Sequence, residues 1–154
     1  MKFKQGELEA RAILENKGYV FDTNYWDNNS KDSMPDLKYK GGNYIEVTHT
    51  RHNHIKNDSY DVHSIINITY ELTEDKGRKY KNRDFVVDLF CFITEQEYDD
   101  LEACLRGYPK NIKANRFLQA VYNSPFETIY LCIWNLYKKE YELENPILLT
   151  ITKK

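Results

Sequence analysis

Met34-Pro35-Asp36-Leu37, the pair Gly41-Gly42 and the run Tyr44-Ile45-Glu46-Val47-Thr48 follow one another closely, and how they are read decides the fold. The glycine pair marks a turn and the flanking runs read as strands, so the stretch is a β-hairpin. It places Asp36 near the start of one strand and Glu46 on the returning one. Two carboxylates held that way make a site for a hard divalent cation, and such ions are used to cut phosphodiester bonds.

Strand parity constrains the turn. A two-residue turn over Gly41-Gly42 pairs position 40 with 43 and sends Asp36 and Glu46 to opposite faces. A three-residue turn over Gly41, Gly42 and Asn43, or a bulged equivalent, pairs 40 with 44. Asp36, Lys38, Glu46 and Thr48 then share one face. A shared cation site therefore predicts the odd-length turn. The bland alternative is that Asp36 caps a turn after Pro35 and Glu46 is an exposed strand residue.

Outward from the hairpin, Lys4 to Lys17 reads as a helix with Ala10, Ile13 and Leu14 on its inner side and Gly18 at its stop. Tyr19 to Asn24 reads as a short strand and Trp26 to Ser33 as a polar loop. Asp58 to about Lys79 reads as a helix with Ile65, Ile68 and Leu72 along one side. Phe85 to Ile93 is a near-continuous apolar run, a strand buried on both faces. Thr94-Glu95-Gln96-Glu97 opens a helix ending near Leu105, with a cap followed by acids. Another helix covers Lys113 to Tyr122, and strands are expected at Thr128 to Leu136 and Ile147 to Ile151. This order predicts a single α/β domain with a mixed central sheet and helices on its faces.

The composition is that of a folded protein: 154 residues, 41% apolar, 14% aromatic, thirteen tyrosines. No apolar run approaches the roughly 20 residues needed to span a bilayer, so no membrane partner is expected. The charged start Met1-Lys2-Phe3-Lys4-Gln5 leads into no apolar leader, which points to the cytoplasm, although a toxin delivered by another route would look the same. Cys91, Cys104 and Cys132 read as buried free thiols. A net charge of −2 argues against a protein that coats nucleic acid non-specifically. It leaves room for a local patch, and Lys76-Gly77-Arg78-Lys79-Tyr80-Lys81-Asn82-Arg83 carries five cations in eight residues. Arg78, Lys79 and Lys81 are the candidates there for gripping a backbone, unless the patch is only a solvated helix end.

Glu7-Leu8-Glu9-Ala10, the helix end Leu14-Glu15-Asn16-Lys17-Gly18-Tyr19, Pro35-Asp36 and Ile45-Glu46-Val47-Thr48 together resemble the PD-(D/E)XK nuclease superfamily. The resemblance covers roughly residues 4 to 50. It implies a restriction-endonuclease-like fold, three layers α/β/α around the mixed sheet. It also implies that Asp36 and Glu46 bind Mg²⁺ or Mn²⁺, with the Val47 carbonyl as a further ligand. Glu7 would face the site from the helix, with Glu9 as its rival. Such an ion would activate a water and stabilise charge on the phosphate.

Thr48 departs from the pattern, because a lysine is usual two residues after the acid. By the parity argument Lys38 lies across from Glu46 and is the first candidate to replace it, with Lys40 and Lys56 behind. The chain is also similar, less closely, to the cap-snatching endonucleases of segmented RNA viruses, which likewise lack that lysine. His49, His52 and His54 match no standard zinc spacing. His49 and Arg51 are expected instead to flank the cation site and touch substrate phosphates. The expected activity is endonucleolytic, on DNA before RNA, with a homodimer plausible because cutting two strands needs two sites. The rivals are a nuclease-fold binding module without catalysis and an RNA-cutting toxin domain.

Overall fold

The computed structural model describes residues 5–25, 34–50, 64–133 and 148–152. The polar loop expected at Trp26 to Ser33 lies outside the described residues, as do Arg51, His52, His54, Lys56 and Trp134. The described strands are β1 (Leu37–Lys38), β2 (Tyr44–His49), β3 (Val87–Ile93), β4 (Phe126–Ile133) and β5 (Leu148–Thr152). They form one sheet in sequential order. The two inner pairs, β2 with β3 and β3 with β4, are parallel, and the two outer pairs are antiparallel. The protein is thus mixed α/β. No described helix is long and apolar enough to cross a membrane.

Helix α1 (Gln5–Asn16) forms as its spacing predicts, with Ala10, Ile13 and Leu14 wholly buried. They meet Leu37, Ile45, Phe90, Phe92, Tyr130 and Cys132 on one face of the sheet. Each such fully buried Ile or Leu contributes about 1.5–3 kcal/mol. The helix stops where Gly18 takes a φ of 101°, its N–H bonding the Glu15 carbonyl while Tyr19 N–H bonds that of Leu14. That arrangement satisfies the last carbonyls and needs a residue without Cβ strain in the left-handed region.

The opposite face is covered by α2 (Ile65–Tyr70), α4 (Glu95–Arg106) and α5 (Ile112–Asn123). Leu89, Cys91 and Ile93 point to that side while Phe90 and Phe92 point to α1, the period-two split of a strand buried on both faces. The described helices of both parallel crossovers lie on this one face, as connections of one hand must when successive strands are added in one direction. Glu97 supplies the capping box of α4 and also accepts from Thr50 Oγ1 at 2.6 Å and Asn67 Nδ2 at 2.7 Å. One buried carboxylate therefore ties the end of β2 to two helices. Cys91, Cys104 and Cys132 are free and buried, as expected.

Three expectations need correction. Tyr19 to Asn24 forms no strand: it touches the hairpin by a single bridge, Phe21 to Tyr39. Of the helix expected from Asp58, residues before 64 lie outside the description. Its described part is broken by a π-helical turn (Glu71–Asp75) before resuming as α3 (Lys76–Lys79). The hairpin turn holds Lys40, Gly41 and Gly42, with Tyr39 N–H bonding the Asn43 carbonyl at 2.9 Å. Its length is odd, as a shared face requires, but it sits one residue earlier than Gly41, Gly42 and Asn43.

Candidate functional site

That one-residue displacement decides which side chains meet. Leu37 pairs with Ile45 and Lys38 with Tyr44. One step further, the same register sets Asp36 opposite Glu46. Lys38 is therefore not across from Glu46: its ammonium lies 5.4 Å from the centre of the Tyr44 ring. The first candidate for the missing lysine is overturned, because shifting a turn by one residue moves every pairing by two.

Asp36 is oriented by the backbone of the returning strand, since Val47 N–H donates to its Oδ2 at 2.9 Å. Amide and carbonyl of one strand residue point to the same side, and Tyr44 and Thr50 spend theirs on β3. The Val47 carbonyl therefore also points away from β3, toward Asp36. Glu7, 7% exposed on α1, brings its carboxyl within hydrogen-bonding reach of Asp36. Its rival Glu9 is half-buried and is not among the residues that line the cavity described below.

Glu46 is 1% exposed and fully engaged. Its Oε1 accepts from the buried Tyr80 hydroxyl at 2.6 Å. Its Oε2 meets two ammonium groups, Lys76 Nζ at 3.1 Å and Lys79 Nζ at 3.4 Å. Burial alone would lower the Lys76 ammonium, but the Glu46 carboxylate overrides it and holds it above its ordinary value. Burial and the same carboxylate push the Tyr80 phenol up, so it stays a donor.

These groups surround one cavity of about 300 Å³, lined by Gly6, Glu7, Asp36, Glu46, Val47, His49, Lys76 and Lys79. His49 reaches it with its ring 4.7 Å from that of Phe92. The cationic stretch splits around its helix. Lys76 and Lys79 face the acids, whereas Arg78 pairs with Glu74 at 2.6 Å and, with Lys81, lines a second pocket on another side. Arg78 and Lys81 are thus separated from the acidic cluster, and Arg83 lies over the Tyr80 and Phe85 rings. Thr48 does not line the cavity; its hydroxyl donates to Glu71 Oε1 at 3.0 Å.

Lys76 is the residue that sequence reasoning missed as a site member. Gly77 was a usable signal, since an isolated glycine in a helical stretch usually has a packing reason. A Cβ on Gly77 would fall inside the Leu72 carbonyl. The close approach across the π-turn thus depends on glycine, and that turn aims both lysines at Glu46.

Burial first, then Glu46 and Glu7, push the Asp36 carboxyl up to about 9, with the Val47 N–H opposing. Asp36 is therefore protonated at neutral pH, which lets it share a hydrogen with Glu7. Its folded value lies above the unfolded one. The folded chain then binds more protons than the unfolded chain between about 4 and 9. The contribution is fully present below the unfolded value and is lost as pH rises through the folded one. Urea unfolding of the metal-free chain is expected to show stability falling across that window, and Asp36→Asn is expected to flatten the fall. An unchanged slope in the variant would place the titration elsewhere.

Glu7, Asp36, Glu46 and the Val47 carbonyl offer oxygen donors, the kind a hard cation takes. Among the described residues, no group of three or more His, Cys, Asp or Glu is already placed to hold a metal ion. The acids share a cavity, with ammonium groups and a proton balancing their charge. Compared with family models, with curated proteins and with solved structures, the chain finds no match in any of the three.

Proposed function

We propose that this chain is a metal-dependent endonuclease of the PD-(D/E)XK kind, in which a neighbouring helix supplies the lysine absent at Thr48. The observation that carries the proposal is the single cavity where Asp36, Glu46 and Glu7 meet Lys76 and Lys79. A bound Mg²⁺ or Mn²⁺ would supply an activated water and stabilise charge on the phosphate. Asp36, Glu46, Glu7 and the Val47 carbonyl would hold it. The Asp36 proton must then leave, so cation affinity rises with pH.

The other residues act on the substrate. Lys76 and Lys79 hold positive charge where a scissile phosphate would enter, and an ammonium near the developing negative charge lowers the barrier. Tyr80 locks Glu46 in one rotamer through its hydroxyl. Double-stranded DNA is the favoured substrate and RNA the alternative, in the cytoplasm. A homodimer would present the two sites that two strands need.

One observation favours a different reading. With two ammonium groups already on Glu46, the cluster is also a closed salt-bridge network, as a nuclease-fold binding module without catalysis would have. Incubation with supercoiled plasmid and with RNA, each with Mn²⁺ or EDTA, separates the two. Cleavage that needs Mn²⁺ and disappears in Asp36→Ala is the expected result. Binding that ignores metal, with no cutting of either nucleic acid, overturns the enzyme in favour of the module. Cutting of tRNA with plasmid left intact identifies an RNA-cutting toxin.

A further inference from the structure

Glu71 is a fully buried carboxyl that the proposed chemistry does not use. It opens the π-helical turn. Oε1 accepts the Thr48 hydroxyl at 3.0 Å. Oε2 is, among the described residues, the one buried side-chain nitrogen or oxygen atom without a hydrogen-bond partner. The Asp75 carboxyl stands within hydrogen-bonding reach of Glu71. Two carboxylates bond only when one carries a proton, and an unsatisfied buried oxygen is costly. A proton shared between Glu71 and Asp75 resolves both conditions. Burial, then Asp75, push the Glu71 carboxyl up to about 8, which keeps that proton in place at neutral pH.

The backbone repeats the link. Lys76 N–H donates to the Glu71 carbonyl, closing the π-turn directly before α3. Glu71 thus holds Lys76 through its own carbonyl, and holds Asp75, the residue before Lys76, through its carboxyl. The other end of the chain of contacts is Thr48, on the strand position two residues after Glu46.

We propose that Thr48 and Glu71 are positioning residues for Lys76. The strand position that carries no lysine instead anchors, through the Glu71 carboxyl, the turn that delivers a lysine from the next helix. A threonine there is more than a missing cation. Its hydroxyl is the donor that registers the π-turn against β2, so that Lys76 and Lys79 reach the same Glu46 oxygen. The inference rests on the endonuclease reading only for its kinetic consequence; the anchoring itself is a statement about the metal-free chain.

The test uses the full chain and two pairs of variants. Thr48→Val and Glu71→Met remove the polar link at similar size. Thr48→Ser and Glu71→Gln preserve it, since the glutamine amide can accept from Thr48 and donate to Asp75. Amide hydrogen exchange without metal is the first readout. Exchange at Lys76 and Gly77 is expected to rise about tenfold or more in the first pair, with Phe90 and Cys91 unchanged. The conservative pair is expected to stay near wild type. A uniform rise across β3, or no rise at Lys76 in Thr48→Val, overturns the proposal.

The second readout is Mn²⁺-dependent cleavage. There kcat is expected to fall about 10–100-fold in Thr48→Val with KM little changed, as for removal of a group that orients a catalytic one. A wild-type chain that cuts nothing sinks the endonuclease reading and leaves the exchange experiment to decide the anchoring. A wild type that cuts, with Thr48→Val equally fast, sinks the positioning role.

Discussion

Glu46→Gln is expected to lower the proposed metal-dependent cleavage by about 10³-fold or more, the scale on which loss of a bound cation's charge stabilisation is felt. Glutamine has the shape of the side chain it replaces and can still accept the Tyr80 hydroxyl at the Oε1 position. At the Oε2 position it presents an amide to Lys76 and Lys79, which now stand 3.1 and 3.4 Å from an anionic oxygen. The two ammonium groups lose the charge that holds them, and in the proposed enzyme a divalent cation would lose its most buried ligand. Stability is expected to fall by about 1.5–3 kcal/mol, the range for buried hydrogen bonds to a charged group. Circular dichroism before and after adding Mn²⁺, beside a plasmid assay, separates misfolding from lost chemistry. A folded Glu46→Gln chain that cuts at the wild-type rate would remove Glu46 from the mechanism.

Gly77→Ala is expected to be the most damaging single methyl in the described chain, costing about 3 kcal/mol. The added Cβ meets backbone, the Leu72 carbonyl, rather than the end of a side chain that could turn away. Relief requires the π-turn to unwind toward an ordinary helix, which rotates the residues after it. Lys76 and Lys79 then leave Glu46, so the proposed cleavage is expected to fall together with stability. For a chain of this size the loss corresponds to roughly 10 °C in Tm. A melt showing a shift below about 2 °C would mean that the turn yields cheaply. The aim of the lysines would then need another explanation.

Thr69 and Thr73 help explain why the helix breaks where it does. Their hydroxyls donate to the carbonyls four residues back, Ile65 at 3.1 Å and Thr69 at 3.0 Å. Such back-bonding competes with the helical ladder and bends it. With Gly77 beyond to admit the close backbone, a wide turn is the local solution.

Much of this architecture can be read from the chain alone, because the signals are local. Ala10, Ile13 and Leu14 recur at helical spacing, and they are buried on one side of α1. Thr94 and Glu97 sit three apart, and they form the capping box of α4. Residues 87–93 form an unbroken apolar run apart from Asp88, and the strand there is buried on both faces. The hairpin was also accessible, but its parity was not: two- and three-residue turns both fitted the sequence, and the odd turn that forms sets Asp36 opposite Glu46. The expected strand at Tyr19 to Asn24 failed for a physical reason: Val20 and Asp22 reach the hairpin only at Lys38 and Lys40, too briefly to form a ladder.

The identity of the lysine was of another kind. Whether Lys38 faces Glu46 or Tyr44 depends on a one-residue choice in a Gly-Gly turn, where the absence of side chains leaves several turns nearly equal in energy. Lys76 stands thirty positions from Glu46 in sequence, and no periodicity couples a strand to a helix across a parallel crossover. The sequence by itself determined most of the elements and the hairpin that carries Asp36 and Glu46, because turn residues and hydrophobic period act between near neighbours. Only the tertiary structure decided that Lys76 and Lys79 complete the cluster and that Thr48 answers to Glu71. Those contacts arise where a helix lands on a sheet, and the packing of two whole surfaces chooses the landing point.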